Sequence, residues 1–202
     1  MSTDNSHELD GALERREIPS STIRFSRHLE AAQKRVWRAI SDIQGTQLWL
    51  NRVDRLELTE GGAFLIRTYD ENNPAGWTSG IVTQVQPPQV LEYTWNQGPF
   101  AGGPALQSKV RYELEPEGAD TTLTLSHVLY DVAGEVYVTA FLALWHFHLG
   151  ALEEGLKGTD KSFADYFARL VSESGLPRRE FGVKHLGGLR DAYSKKVGLV
   201  RN

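Results

Sequence analysis

Between residues 22 and 129 the chain holds a succession of short segments in which apolar and polar residues alternate. This alternation has the period of a β-strand that buries one face. It predicts strands at 22–30, 55–58, 63–69, 77–86, 90–96, 107–115 and 121–129. From residue 55 onward the spacers are short and rich in Gly, Pro and Asn. They favour antiparallel pairing, because a parallel return needs a crossover of about a dozen residues.

One long helical pattern follows the strands, at 135–156, in which apolar residues recur at spacings of three and four. These residues are Val138, Leu142, Trp145, Leu149, Leu152 and Leu156. A curved sheet must cover its apolar face, and a single helix along the concave side can do so. The predicted fold class is therefore α+β, a helix-grip in which a curved antiparallel β-sheet wraps around a long C-terminal α-helix. Short helices are predicted at 33–40 and 42–50.

The chain divides into three parts: a flexible N-terminal segment at 1–20, the helix-grip domain at 21–158 and a helical C-terminal extension at 159–202. The extension is predicted to hold one helix at 160–172 and a weaker one at 185–197. The first carries an apolar, mostly aromatic stripe that must pack on its own domain, over the mouth of a cavity as a lid, or on a second subunit. The stripe includes Phe163, Tyr166, Phe167 and Leu170.

The distribution of charge favours packing of the extension on a second subunit. The chain carries −4 at pH 7, yet residues 178–202 hold seven Lys or Arg against Glu180 and Asp191. The tail is therefore at +5 and the rest of the chain at −9. Such halves are complementary between two copies as well as within one. A homodimer is favoured, and a solvated tail or contact with an acidic partner are the alternatives.

A set of short motifs in fixed order resembles a known family. The motifs are AAQKRVWRA at 31–39, GGAF at 61–64, PPQVLEYTW at 87–95, LTLSH at 123–127 and LWHFHL at 144–149. Together they resemble the START-like (SRPBCC, Bet v 1-like) superfamily, in its branch of homologues of the activator of the heat-shock-protein-90 ATPase. The resemblance covers residues 23–158. It implies a hollow domain whose ligand is not named, and members of this branch commonly stop soon after the grip helix.

The resemblance implies a ligand cavity between sheet and helix. The periodicity of the strands and of the helix predicts which side chains are nominated as its lining. A large aromatic side chain with one polar atom suits such a wall, although plain core packing is the alternative for each residue. The nominated residues are Trp77, Tyr93, Trp95, Tyr112, His127, Leu142, Trp145 and Leu149.

Reactive chemistry has little support in the residues. The chain has no Cys and no H-E-x-x-H, G-x-S-x-G or P-loop motif. His146 and His148 are two apart on a helix, so they point in different directions and cannot chelate one ion. We therefore expect no metal and no cofactor. His127 is expected to be a hydrogen-bonded core residue, and an acid–base role beside Tyr93 or Tyr112 is the rival interpretation.

The function expected from these observations is binding of a small, mostly apolar ligand, without a catalytic residue. The alternatives are a chaperone cofactor that binds a protein partner, and a cyclase- or hydrolase-type enzyme that uses the same cavity. An acidic domain argues against nucleic acid. A membrane span is not expected, because the apolar window at 136–149 is shorter than about 20 residues. A cytoplasmic location fits the lack of Cys and of a secretory signal in residues 1–20.

Overall fold

The computed structural model describes residues 9–17, 20–50, 53–67, 77–98, 105–130 and 135–199. The strands in this part are β1 Ala12–Glu17, β2 Ser20–Leu29, β3 Val53–Leu56, β4 Ala63–Arg67, β5 Trp77–Gln86, β6 Val90–Gln97, β7 Leu106–Glu117 and β8 Asp120–Tyr130. The helices are α1 Gln33–Ser41, α2 Ile43–Thr46, α3 Glu135–Lys157, α4 Phe163–Ser174 and α5 Arg178–Lys196.

The described strands form one antiparallel sheet in the order β1-β2-β8-β7-β6-β5-β4-β3. β3 to β8 follow one another as a meander, and β2 pairs with β8 without a break from Ser20↔Tyr130 to Leu29↔Thr121. The turn before β4 needs a glycine, because Gly61 has a φ of 81°. The α+β helix-grip class is confirmed.

The grip helix α3 lies against the concave face of the sheet. Trp145 and Leu149 are completely buried. The ring of Trp145 is 5.3 Å from that of Trp95 and 6.4 Å from that of Tyr112, centroid to centroid. Trp145 therefore faces the sheet, as its helical spacing predicts.

The C-terminal extension packs on the side of α3 that faces away from the sheet. The ring of Phe147 on α3 lies 5.7 Å from that of Phe163, 5.4 Å from that of Tyr166 and 6.2 Å from that of Phe167. Phe163 and Tyr166 are buried. The stripe of α4 is thus covered within its own chain, so it does not need a second subunit. α3 is therefore the middle of three layers, between the sheet and the C-terminal extension.

The two largest departures from the sequence prediction lie towards the two ends of the chain. The predicted flexible segment at 1–20 is wrong for Ala12–Glu17, which form β1 and pair with β2 from Ala12↔Arg24 to Glu17↔Ser20. β1 is an edge strand in which Leu13 is the one large apolar residue, so it lacks a clear alternation. Residues 1–8 and 18–19 lie outside the described residues. α5 begins at Arg178 rather than at residue 185.

Candidate functional site

A cavity of about 580 Å³ lies between α3, α5 and strands β4, β5 and β6. Its size and its largely apolar walls are typical of small-molecule sites, which span about 300–1,000 Å³. α3 contributes Ala140, Phe141, Ala143, Leu144, Trp145 and His148; the sheet contributes Ile66, Thr78, Trp95 and Gln97; α5 contributes Gly182, Val183, Leu186, Gly187 and Arg190; and Leu50 completes the wall.

Small residues on the two facing helices keep this space open. The small residues that line the cavity are Ala140 and Ala143 on α3 and Gly182 and Gly187 on α5. A Cβ atom added to Gly187 would meet no atom within 4 Å. The volume of the cavity therefore depends on the small side chains at these positions as well as on the curvature of the sheet.

A few polar side chains line the cavity, and none of its described lining residues carries a carboxylate. Thr78 is almost completely buried, and within the described part of the chain its hydroxyl has no hydrogen-bond partner. Gln97 lies at the end of β6, where its Oε1 accepts a long hydrogen bond of 3.4 Å from Trp95 Nε1. Arg190 is exposed to solvent. Its guanidinium therefore marks the open side of the cavity.

His148 contributes a neutral imidazole to the wall. It is buried, and its Nδ1 donates to the backbone oxygen of Trp49 at 2.6 Å. Burial lowers the pKa of His148 to about 4, against the opposing effect of this hydrogen bond. The ring is therefore uncharged at pH 7, with its proton on Nδ1 and a lone pair on Nε2.

His127 lies behind the cavity wall, within a chain of hydrogen bonds that runs from Trp145 to the backbone of Trp95. Trp145 Nε1 donates to His127 Nδ1 at 2.9 Å, so Nε2 carries the proton and donates to Ser108 Oγ at 2.8 Å. Ser108 Oγ in turn donates to the backbone oxygen of Trp95 at 2.7 Å. Burial lowers the pKa of His127 to about 3. With both nitrogens occupied and no charge, His127 has the geometry of a structural residue.

Tyr93 and Tyr112 form a buried pair whose hydroxyl groups are 2.9 Å apart. Burial raises the pKa of Tyr93, and burial together with the neighbouring Tyr93 raises that of Tyr112. Tyr93 also stacks on Phe64 at 4.1 Å between ring centroids. Both hydroxyl groups are protonated at pH 7.

The residues nominated from the sequence fall into two groups. Trp95 and Trp145 line the cavity. Tyr93, Tyr112, His127, Leu142 and Leu149 are buried in the core around those walls and do not line the cavity. Trp77 begins β5, but its side chain lies outside the described residues.

Tyr193 attaches α5, the outer wall of the cavity, to the rest of the molecule. Its hydroxyl accepts a hydrogen bond from Gly11 N–H at 3.1 Å and bonds to His146 Nδ1 at 3.0 Å. Beside it, Arg27 Nη2 donates to Asp10 Oδ1 at 3.0 Å. Burial acts to raise the pKa of Asp10, but hydrogen bonds from His146 and Arg27 outweigh it and lower that pKa. α5, α3 and the residues before β1 thus meet in one polar cluster.

Among the described residues, no group of three or more His, Cys, Asp or Glu side chains could hold a metal ion. None of the described helices is long and apolar enough to cross a membrane.

Comparison with known proteins identifies the family. The family model described as "Activator of Hsp90 ATPase homolog 1-like protein" matches residues 30–164. The chain belongs to this family. The match runs from the residue after β2 to the first residues of α4, and so covers α3 and the walls from β4 to β6. No curated protein matches the chain.

Solved structures of similar proteins show how far the shared fold extends. CalU16 from Micromonospora echinospora is 28% identical, with a TM-score of 0.54 over 70% of this chain and 82% of its own. The Aha1 dimer from Colwellia psychrerythraea is 14% identical, with a TM-score of 0.54 over 67% and 95%. A conserved protein of unknown function from Enterococcus faecalis, EF2215, is 15% identical, with a TM-score of 0.65 over 96% and 94%.

α5 lies beyond the part of the chain that the family model matches. The cavity of this family member is therefore completed by a segment outside that model. The match to EF2215 covers 96% of this chain, so the fold with the extension occurs in a second protein.

Several cavity residues were not nominated from the sequence. Strand periodicity could have found Thr78, because it shares one face of β5 with the buried Val82, and Gln97, which continues the phase of Tyr93 and Trp95. His148 is the second residue of the H-x-H pair, whose spacing bears on metal binding and gives no signal for a cavity wall. Arg190 gave no signal, since its place depends on how α5 packs.

Proposed function

We propose that this chain binds a small, mostly apolar molecule in the cavity between the sheet, α3 and α5. The cavity itself carries the proposal, since it offers about 580 Å³ within largely apolar walls. The buried Thr78 hydroxyl supports it. A buried polar group without a partner costs about 1–3 kcal/mol, and an occupant with a hydrogen-bonding group would remove that cost.

In this proposal Trp95 and Trp145 contact the apolar body of the ligand. The other nominated residues act from behind the wall: the His127 chain fixes the indole of Trp145, Tyr93 packs against Trp95, and Tyr112 packs against Trp145. Leu142 and Leu149 hold α3 against the sheet. Trp77 stays a nominated residue at the start of β5.

Two neighbouring glycines of α5 provide the test. Gly187 lines the cavity, Gly188 is exposed outside it, and an added Cβ meets no atom within 4 Å at either position. Leucine improves helix propensity equally at both, but Gly187→Leu fills the cavity. We expect calorimetric titration with the neutral probe 2-naphthol to show binding to the native protein and to Gly188→Leu. Gly187→Leu should bind about tenfold more weakly or worse, since overpacking costs about 1–3 kcal/mol.

Equal affinity in all three proteins, or none in any, would refute the cavity as the binding site. Native mass spectrometry of the same preparations adds the identity of any retained molecule, which should be present with Gly188→Leu and lost with Gly187→Leu.

The enzyme alternative gains no support from the described site. Both nitrogens of His127 are hydrogen-bonded within the protein, and the hydroxyl groups of Tyr93 and Tyr112 bond to each other. None of these side chains lines the cavity. A general acid or base must reach the proton that it transfers.

A second candidate is a chaperone-related role, which the description of the family favours. A homodimer is supported by one solved relative of the same fold, described as a dimer. A cytoplasmic location agrees with the absence of Cys. Co-precipitation with the chaperone tests the chaperone-related role, and sedimentation at several concentrations tests the homodimer. A monomer at every concentration would exclude the homodimer.

A further inference from the structure

The charges around the cavity are of one sign. Arg190 lines it, and Arg178 and Arg179 line an adjoining groove of about 690 Å³ between α3, α4 and α5. The groove and the cavity share wall residues, among them Leu144 and Leu186. No carboxylate lies among the described lining residues of either space. A chain with a net charge of −4 thus presents only positive charge here.

Arg190 is the charged group of the cavity itself. Within the described part of the chain its guanidinium has no acidic partner. Lys184, on the same helix, pairs with Glu180 at 2.6 Å and does not line the cavity. Arginine offers a planar fork of donors that matches a carboxylate.

The interior of the cavity cannot stabilise a second charge. The lone pair of the neutral His148 is an acceptor, Thr78 and Gln97 contribute an uncharged hydroxyl and an uncharged amide, and the other interior residues contribute rings and aliphatic side chains. An ion buried among such groups would lose its hydration without compensation. Any charge on the occupant must therefore stay at the opening.

We propose that the occupant is an apolar carboxylic acid, bound as its anion with the apolar body against Trp95 and Trp145 and the carboxylate at Arg190. This inference rests on the proposed function and adds a ligand class to it. It also assigns Arg190 a role in selecting ligands by charge.

Three probes of one shape test the inference: 2-naphthoate, its neutral amide and the 2-naphthylmethylammonium cation, each titrated by calorimetry. The proteins are the native chain, Arg190→Gln and Lys184→Gln. Both variants remove one positive charge from α5, so they change the net charge of the protein equally. Circular dichroism confirms that each is folded.

We expect the native protein and Lys184→Gln to bind 2-naphthoate about fivefold more tightly than the amide, as for a favourable partly exposed ion pair. The cation should bind most weakly. Arg190→Gln should bind acid and amide alike. Equal binding of all three probes to the native protein would overturn the inference and leave the proposed function standing. A preference for the acid that survives Arg190→Gln would also overturn it. Failure of every probe to bind would overturn the proposed function.

Discussion

The indole of Trp145 is held by a histidine that is uncharged at neutral pH. His127 accepts from Trp145 and donates to Ser108, and burial keeps it uncharged. Protonation would add a donor at Nδ1, where Trp145 already donates, and would place an unpaired charge in the core. The wall of the cavity therefore depends on the neutral form of this residue.

This dependence predicts how stability changes with pH. Because the folded pKa of His127 is about 3, below the ordinary value of 6.5, the unfolded chain binds the proton more readily. The contribution of His127 is complete above pH 6.5 and is lost as pH falls from 6.5 towards 3. In that window, protonation of His127 in the unfolded chain lowers the free energy of unfolding by about 1.4 kcal/mol for each unit by which the pH falls. Urea unfolding at pH 6 and pH 4.5 should show a shallower loss in His127→Gln, and equal losses would contradict the account.

At the residue scale, periodicity predicted which side chains point inward, but it could not separate wall from core. Tyr93, Trp95, Tyr112 and His127 share the inward phase and are all buried. Of these, Trp95 lines the cavity, because the open space is set by Ala143 and Gly187 on helices distant in sequence. Which inward residue meets a void is a tertiary property.

At the level of elements, α5 is a helix of low intrinsic stability placed over the cavity. It contains Gly182, Gly187 and Gly188 within its nineteen residues. Each interior glycine costs a helix about 1 kcal/mol relative to alanine. Tyr193 compensates in part, because it attaches the helix to Gly11 and His146.

Alanine substitution should separate the glycines of α5 from a glycine that the backbone requires. Gly188→Ala should raise the free energy of unfolding by about 0.4–1 kcal/mol, since its Cβ meets open space in a helical backbone. Gly175→Ala should lower it by about 1–2 kcal/mol, because Gly175 ends α4 with a φ of 67°. Urea titrations measure both. A destabilising Gly188→Ala would show that the exposed face of α5 is not as described.

The sequence predicted elements well where one face is buried and poorly where packing decides. β5 has the bounds that its alternation predicts, and α3 ends within one residue of its prediction. β1 and the start of α5 were missed for a common reason. β1 is an edge strand with little apolar content, and α5 has glycines that weaken the helical signal. β1 is stabilised by pairing with β2 and α5 by contacts distant in sequence, so neither shows a clear pattern of its own.

For the whole molecule, the extension belongs to the folded unit. α3 is buried on both sides, by the sheet and by α4 and α5, and Phe147 sits among the rings of the extension. The resemblance predicted a domain that ends near Gly158, but it could not predict that this grip helix has a second apolar face to cover.

Truncation after Gly158 tests this layer. The shortened chain would expose Phe147 and the outer face of α3, an apolar surface of the kind that drives association. We expect it to lose cooperative urea unfolding and to aggregate in light scattering. A shortened chain that stays monomeric and unfolds at the midpoint of the full-length protein would show that the extension is separate.

The central claim is that the space between sheet, α3 and α5 holds a small molecule. The most direct test follows the indole N–H signals of the tryptophans by NMR during titration with 2-naphthoate. Trp95 and Trp145 line the cavity, whereas Trp37 lies on α1 outside it. We predict saturable shifts of the Trp95 and Trp145 signals while that of Trp37 stays in place. No shift at Trp95 and Trp145 at saturating probe, or an equal shift at Trp37, would contradict the account.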